Sequence, residues 1–159
     1  DYFANTKADE EVQALAKQNA ELKSKVASAV RRYGIKMVVV DYIQKVKADS
    51  RNDKRTYEVG QVSEGLQSIS RKLGVLVIAL AQVSRESDKE KRPPRLADLS
   101  DSSQIEKDAD YVLLLHREVK EGVMGNDAKL YIAKSRDGET GCVPLYFNAG
   151  CTRFENISD

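Results

Sequence analysis

The sequence has 159 residues, enough for one domain with a real core but short for a complete nucleotide-driven motor. Its 26 lysines and arginines against 25 acids leave a net charge of +1, so no whole-chain field marks a nucleic-acid binder and any basic surface must be local. Two cysteines, Cys142 and Cys151, and one histidine, His116, exclude a disulfide framework and a Cys/His zinc site.

From Asp9 to Arg32, apolar residues at Val12, Leu15, Leu22, Val26 and Val30 form a helical stripe, with acids in its first turn and Arg31 and Arg32 in its last. Gly34 stops that helix, and residues 1–34 read as an N-terminal helix and lead-in. Ile35 to Val40 is then a nearly continuous β-branched run that ends on Asp41, as expected of a strand buried on both faces. The unit repeats: Val59, Val62, Leu66, Ile69 and Leu73 recur at helical steps, Gly74 stops the helix, and Val75 to Ala81 runs as a second strand to Gln82. Strand, helix and strand with such runs predict a parallel βαβ unit, whose right-handed connection brings Asp41 and Gln82 to one rim of the sheet.

Ser84 to Asp101 carries mixed charges and Pro93-Pro94, and reads as a mobile loop before a helical turn from Ser103 to Lys107. Asp110 to Leu115 reads as a third buried strand, parallel to the first two. Leu130 to Lys134 and Val143 to Phe147, around Asp137-Gly138, read as an antiparallel edge hairpin over residues 129–147. Tyr57, Tyr111 and Tyr131 fall inside regular elements, where packing is the simplest role for an aromatic ring. His116 is assigned no role. No apolar run spans a bilayer and no charged-then-apolar leader opens the chain, so no membrane partner and a cytoplasmic location are expected.

Four apolar residues followed by an acid, Met37 to Asp41, fit a Walker B strand, whose carboxylate holds Mg²⁺ opposite a nucleotide's phosphates; many such acids merely cap the next helix. Gln82 at the next strand's end can sense a γ-phosphate on one side and DNA on the other, or simply bond a backbone carbonyl. Lys134 and Arg136, two apart on one strand, share a face where two cations can meet a triphosphate, or guard an exposed edge strand against aggregation.

Val38-Val39-Val40-Asp41-Tyr42-Ile43-Gln44, Val77 to Arg85, Lys91-Arg92-Pro93, Asp98-Leu99, Ile105 to Asp110, His116-Arg117-Glu118, Ile132 to Arg136, Gly138 to Gly141 and Thr152-Arg153-Phe154 resemble, in order, the successive motifs of DnaB-type replicative DNA helicases. The resemblance covers roughly Val26 to the C-terminus. It implies an α/β fold: a partial RecA-like P-loop NTPase core with a parallel sheet, flanking helices and an antiparallel edge hairpin, as a single incomplete domain whose residues 35–159 run from Walker B to the C-terminus. It implies ATP and Mg²⁺ as cofactors, Asp41 as the metal-holding acid, Gln82 as the link between nucleotide state and DNA, and Arg136 with Lys134 as cations reaching the nucleotide of the next subunit. The intact parent would be an ATP-dependent DNA helicase, a homo-hexamer translocating on single-stranded DNA, with primase and a helicase loader as possible partners. Channel-facing DNA contacts would come from Lys45, Lys47 and Arg51, from Arg85, Lys91, Arg92 and Arg95, and from Ser100, Asp101 and Ser103.

The chain departs from the family pattern twice. Where the family has an Arg-Glu-Ser-Gly run, this chain reads Ser100-Asp101-Ser102-Ser103, which removes an arginine from the expected DNA grip. No Gly-x4-Gly-Lys-Ser/Thr run occurs, although a P-loop needs small residues so that backbone N–H groups can wrap the phosphates. The chain is therefore expected to be a piece of a longer helicase, inactive alone. The alternative is a non-hydrolysing helicase- or DNA-binding module from a prophage-like remnant.

Overall fold

The computed structural model describes residues 23–46, 55–99, 103–120 and 123–157. They fall into two compact units, one made of Asp1–Gln82 with Leu99–Asp108 and the other of Val83–Asp98 with Ala109–Asp159. The first holds the predicted βαβ unit. Of the expected N-terminal helix, residues 23–33 are helical (α1), and the part before residue 23 lies outside the described residues. β1 (Met37–Val40) pairs with β2 (Leu76–Ala79) in parallel, Met37 opposite Leu76 and Val40 opposite Ala79. α2 (Arg55–Leu73) connects them.

Both stops predicted at glycine occur where the backbone turns left-handed, with φ of 64° at Gly34 and 61° at Gly74. A Cβ there would be strained, so glycine ends each helix and turns the chain into the strand. The apolar stripe of α2 forms the core: Val59, Val62, Leu66 and Ile69 are buried with Ile43 and Val75, and Val26, Val30, Val38, Val40, Val77 and Ile105 pack around them. Ile105 lies on α4 (Ser103–Asp108), as the sequence predicted. Gln67 of α2 ties this helix down, its Nε2 donating to the Asp108 carbonyl at 2.7 Å.

The apolar runs of these two strands predict burial on both faces, which the structure does not bear out. β1 and β2 are buried on one face only, since Met37, Val39, Leu76 and Ile78 are 49%, 56%, 60% and 40% exposed while Val38, Val40 and Val77 pack on the core. Within this unit α2 supplies a single covering layer, and an uninterrupted apolar run cannot reveal whether its second face has a partner.

The second unit is a four-stranded antiparallel sheet in the order β3 (Tyr111–Lys120), β4 (Val123–Ser135), β5 (Gly141–Asn148), β6 (Arg153–Asn156). The predicted hairpin is β4–β5, Ile132 opposite Gly141 and Asp127 opposite Tyr146. The run at residues 110–115, expected as a third parallel and fully buried strand, instead pairs antiparallel with β4, with Leu114 opposite Tyr131. It alternates, Val112 and Leu114 buried and Tyr111, Leu113 and Leu115 exposed, which is the pattern of a strand covered on one side. Phe147 packs on the sheet's other face, the one shared by Leu115, Arg117 and Ala128: its ring meets Phe154 at 4.9 Å between centroids and carries the Arg117 guanidinium at 3.7 Å.

The segment expected as a mobile loop is also corrected. It forms a helical turn, α3 (Glu86–Lys89), and a 3-10 turn at Leu96–Asp98. Asp98 organises it: its carboxylate accepts from Arg92 Nη1 at 2.6 Å, Arg92 Nη2 at 2.9 Å and the Arg95 N–H at 2.7 Å. Its carbonyl accepts from the Ser84 N–H at 2.7 Å. Polar composition alone suggested a loop, but a bidentate Arg–carboxylate clasp fixes a polar segment as a core fixes an apolar one.

The clasp predicts an acid limit. The Arg92 guanidinium, then the Arg95 N–H, hold the Asp98 carboxyl at a pKa of about 2, below the unfolded value of about 3.9. A depressed carboxyl contributes stability that is full above its unfolded pKa and lost as pH falls through its folded one. The clasp is therefore expected to open between about pH 4 and pH 2, as read from the Asp98 carboxyl resonance. An opening already complete near pH 5 would contradict it, and Asp98→Asn should remove the transition.

Candidate functional site

The parallel register carries Asp41 and Gln82 to the same edge of the first unit's sheet, because both follow the ends of paired strands. The ladder continues past the strands: the Leu80 N–H donates to the Val40 carbonyl at 2.9 Å and the Ile43 N–H to the Leu80 carbonyl at 2.8 Å. Asp41 and Gln82 are both exposed there. An exposed carboxylate at a strand's end suits Mg²⁺, which keeps several waters and takes one or two protein carboxylates plus substrate phosphates. Among the described residues no group of three or more His, Cys, Asp or Glu side chains is placed to cage a metal.

One rim residue had no role in the sequence reading. Gln44 lies in a 3-10 turn, Ile43–Lys45, directly after Asp41 and Tyr42. Its Oε1 accepts from the Gln82 N–H at 3.2 Å and its Nε2 donates to the Gln82 carbonyl at 3.3 Å. The only prior signal was its place in the Asp41-Tyr42-Ile43-Gln44 run. Lys45, in the same turn, stands over the Tyr42 ring at 4.6 Å.

In the second unit, Lys134 is the second-last residue of β4, opposite Val112. Arg136 sits one residue beyond the strand, so alternation along a single strand does not by itself relate the two. Asp110 fixes Arg136 instead: the Arg136 N–H donates to the Asp110 carbonyl at 2.9 Å, and its Nη1 meets Asp110 Oδ1 at 2.6 Å. The guanidinium is 42% exposed and the carboxylate 55%. Asp110, like Gln44, falls within a run that resembles the family's motifs, and nothing in the sequence alone points to its part here.

The basic residues divide. Arg92, 20% exposed, is committed to Asp98 and also meets Glu90, which makes it a brace for the segment. That pairing also pushes its own pKa further up, through Asp98 first and Glu90 second. Arg85, Lys91 and Arg95 flank the brace with exposed side chains, as Lys45 does beside Asp41 and Ser103 at the start of α4. Lys47, Arg51, Ser100 and Asp101 lie outside the described residues.

Residues 9–156 match the family model of the DnaB-like helicase C-terminal domain. The replicative DNA helicase DnaB of Leifsonia xyli subsp. xyli is 37% identical over 142 residues, an alignment covering 87% of this chain and 31% of that protein. The solved structure of a DnaB-like replicative helicase, described with its interactions with primase, superposes with a TM-score of 0.78 at 34% identity, covering 88% of this chain and 35% of that one. A solved ATPase domain superposes with a TM-score of 0.79 at 35% identity, covering 88% and 51%. The fold is thus that of helicase RecA-like ATPase domains, and the chain spans about a third of the length of the curated relatives it matches.

Proposed function

Because the chain belongs to the DnaB-like helicase C-terminal domain family, we propose that it is part of a replicative helicase whose parent, a hexameric ring, hydrolyses ATP to move along single-stranded DNA and unwind duplex. The observation that carries this is the parallel register placing Asp41 and Gln82 at one edge of the sheet. Bound Mg²⁺–ATP supplies the phosphoryl group to be transferred. Asp41 holds the metal, and Gln82 sits where a change at the phosphates can reach a DNA-contacting segment. Lys134 and Arg136 serve the nucleotide of the adjoining subunit, where fixed cations stabilise charge that develops on the transferring group.

Lys45, Lys47, Arg51, Arg85, Lys91 and Arg95, with Ser100, Asp101 and Ser103, are the candidate contacts to the DNA backbone, and Arg92 braces the segment that carries Arg85, Lys91 and Arg95 through Asp98. Primase and a loader are proposed partners of the parent, and the cytoplasm its location. Among the described residues no helix is long and apolar enough to cross a membrane.

Binding of a fluorescent ATP analogue with Mg²⁺ tests the assignment, with the full-length parent as control. The parent is expected to bind in the micromolar range and this chain not to bind at about a thousandfold higher concentration, because no backbone cradle for the phosphates is encoded here. Tight binding by the chain alone would require a nucleotide site of another design. A parent that binds no nucleotide would favour the non-hydrolysing module.

A further inference from the structure

We propose that Gln44 is a positioning residue for Gln82, locking its peptide at the sheet's rim so that a DNA-dependent signal passes through the Gln82 side chain. The inference rests on the proposed role of Gln82 and adds the group through which it is held.

The rim poses a specific physical problem. The β1–β2 ladder ends at Val40 and Ala79, yet the chain runs on past β2 to Gln82, and beyond a ladder's end a peptide has no fixed partner. Three successive groups extend the pairing: the Val40 carbonyl takes the Leu80 N–H, the Leu80 carbonyl takes the Ile43 N–H, and the Gln44 carboxamide then takes both polar groups of Gln82. A primary carboxamide carries a donor and an acceptor side by side, so it imitates the edge of a peptide, and a single orientation satisfies both bonds. The Gln82 backbone is thus occupied on both sides while its side chain stays exposed.

Gln44 is itself well anchored. Ile43, its neighbour, is 2% exposed, and its N–H is bonded to Leu80, so the turn cannot slide along β2 without emptying the core. A displacement of the turn behind Asp41 therefore moves Gln82, and the reverse, through the two hydrogen bonds of the Gln44 carboxamide.

The test uses the full-length parent and compares ATP turnover with and without single-stranded DNA. Gln44→Ala is expected to lower the DNA-stimulated rate about fivefold, the size of one or two accessible hydrogen bonds, with the basal rate and the KM for ATP within about twofold. Gln44→Glu, which keeps the acceptor for the Gln82 N–H and loses the donor, should fall between. Amide exchange at Gln82 should accelerate in Gln44→Ala. The double variant Gln44→Ala/Gln82→Ala should match Gln82→Ala, because Gln44 acts only through Gln82.

Equal loss of basal and stimulated rates, or a KM effect without loss of stimulation, would overturn the proposal in favour of a merely structural turn residue. Full stimulation in Gln44→Ala with stimulation lost in Gln82→Ala overturns it while leaving the role of Gln82 intact. Full stimulation in Gln82→Ala removes the role of Gln82 and the proposal with it.

Discussion

Arg136→Ala in the full-length parent is expected to lower ATP turnover by about a thousandfold or more while leaving nucleotide affinity within severalfold, the behaviour of an arginine that meets only the transition state. The local geometry decides whether Arg136 can be spared for that work. Its ion pair with Asp110 is short at 2.6 Å, but both side chains are substantially exposed, 42% and 55%. Pairs of that kind contribute about 0.2–1 kcal/mol, whereas a thousandfold in rate is about 4 kcal/mol. Asp110 therefore gives the guanidinium a resting place without the strength to keep it there when a triphosphate comes within reach. The same comparison predicts that Arg136→Ala barely changes thermal stability, so lost turnover cannot be laid to unfolding. Arg136→Lys keeps the charge but not the planar fork, and should recover only a small part of the rate. Mixing Arg136→Ala subunits with Asp41→Asn subunits, each inactive alone, should restore some turnover, since interfaces then arise with one intact acid and one intact arginine. Unchanged turnover in Arg136→Ala, or no rescue on mixing, would reduce Arg136 to a surface cation paired with Asp110.

What was legible in the sequence was whatever local periodicity or backbone chemistry dictates. Val59, Val62, Leu66 and Ile69 at helical steps became the buried stripe of α2, and the turns at Gly34 and Gly74 needed a residue free of Cβ strain. The parallel pairing that aligns Asp41 with Gln82 followed from the helix between them. What was not legible depended on partners distant in sequence or on the number of covering layers. Tyr111 to Leu115 reads the same whether its neighbour is parallel or antiparallel, and only the register with β4 decides. Arg92 and Asp98 look like two charges among many in a polar stretch until the chain folds one onto the other. Gln44 and Asp110 were missed for a related reason: each sits beside a residue with evident chemistry, and its own part lies in holding that neighbour's backbone.

Ile43→Ala is expected to have the largest effect on stability, about 2–5 kcal/mol, against about 0.5–1.5 for Ile43→Val. Ile43 is 2% exposed and belongs to the same buried cluster as Val59, Val62, Leu66, Ile69 and Val75, so truncation leaves a void that helix and strand must close together. The cavity would open directly beneath the turn that joins Asp41 to Gln44. Stability and chemistry should therefore fall together: thermal unfolding of the parent's ATPase domain should move down by several degrees at least, and basal and DNA-stimulated turnover should both decline. That pattern separates a core residue from its neighbour, because Gln44→Ala is expected to reduce DNA stimulation alone. If Ile43→Ala unfolds no more readily than Ile43→Val, the turn is not anchored through this side chain. Gln82 would then be held by its two hydrogen bonds to Gln44 without the support of the core below.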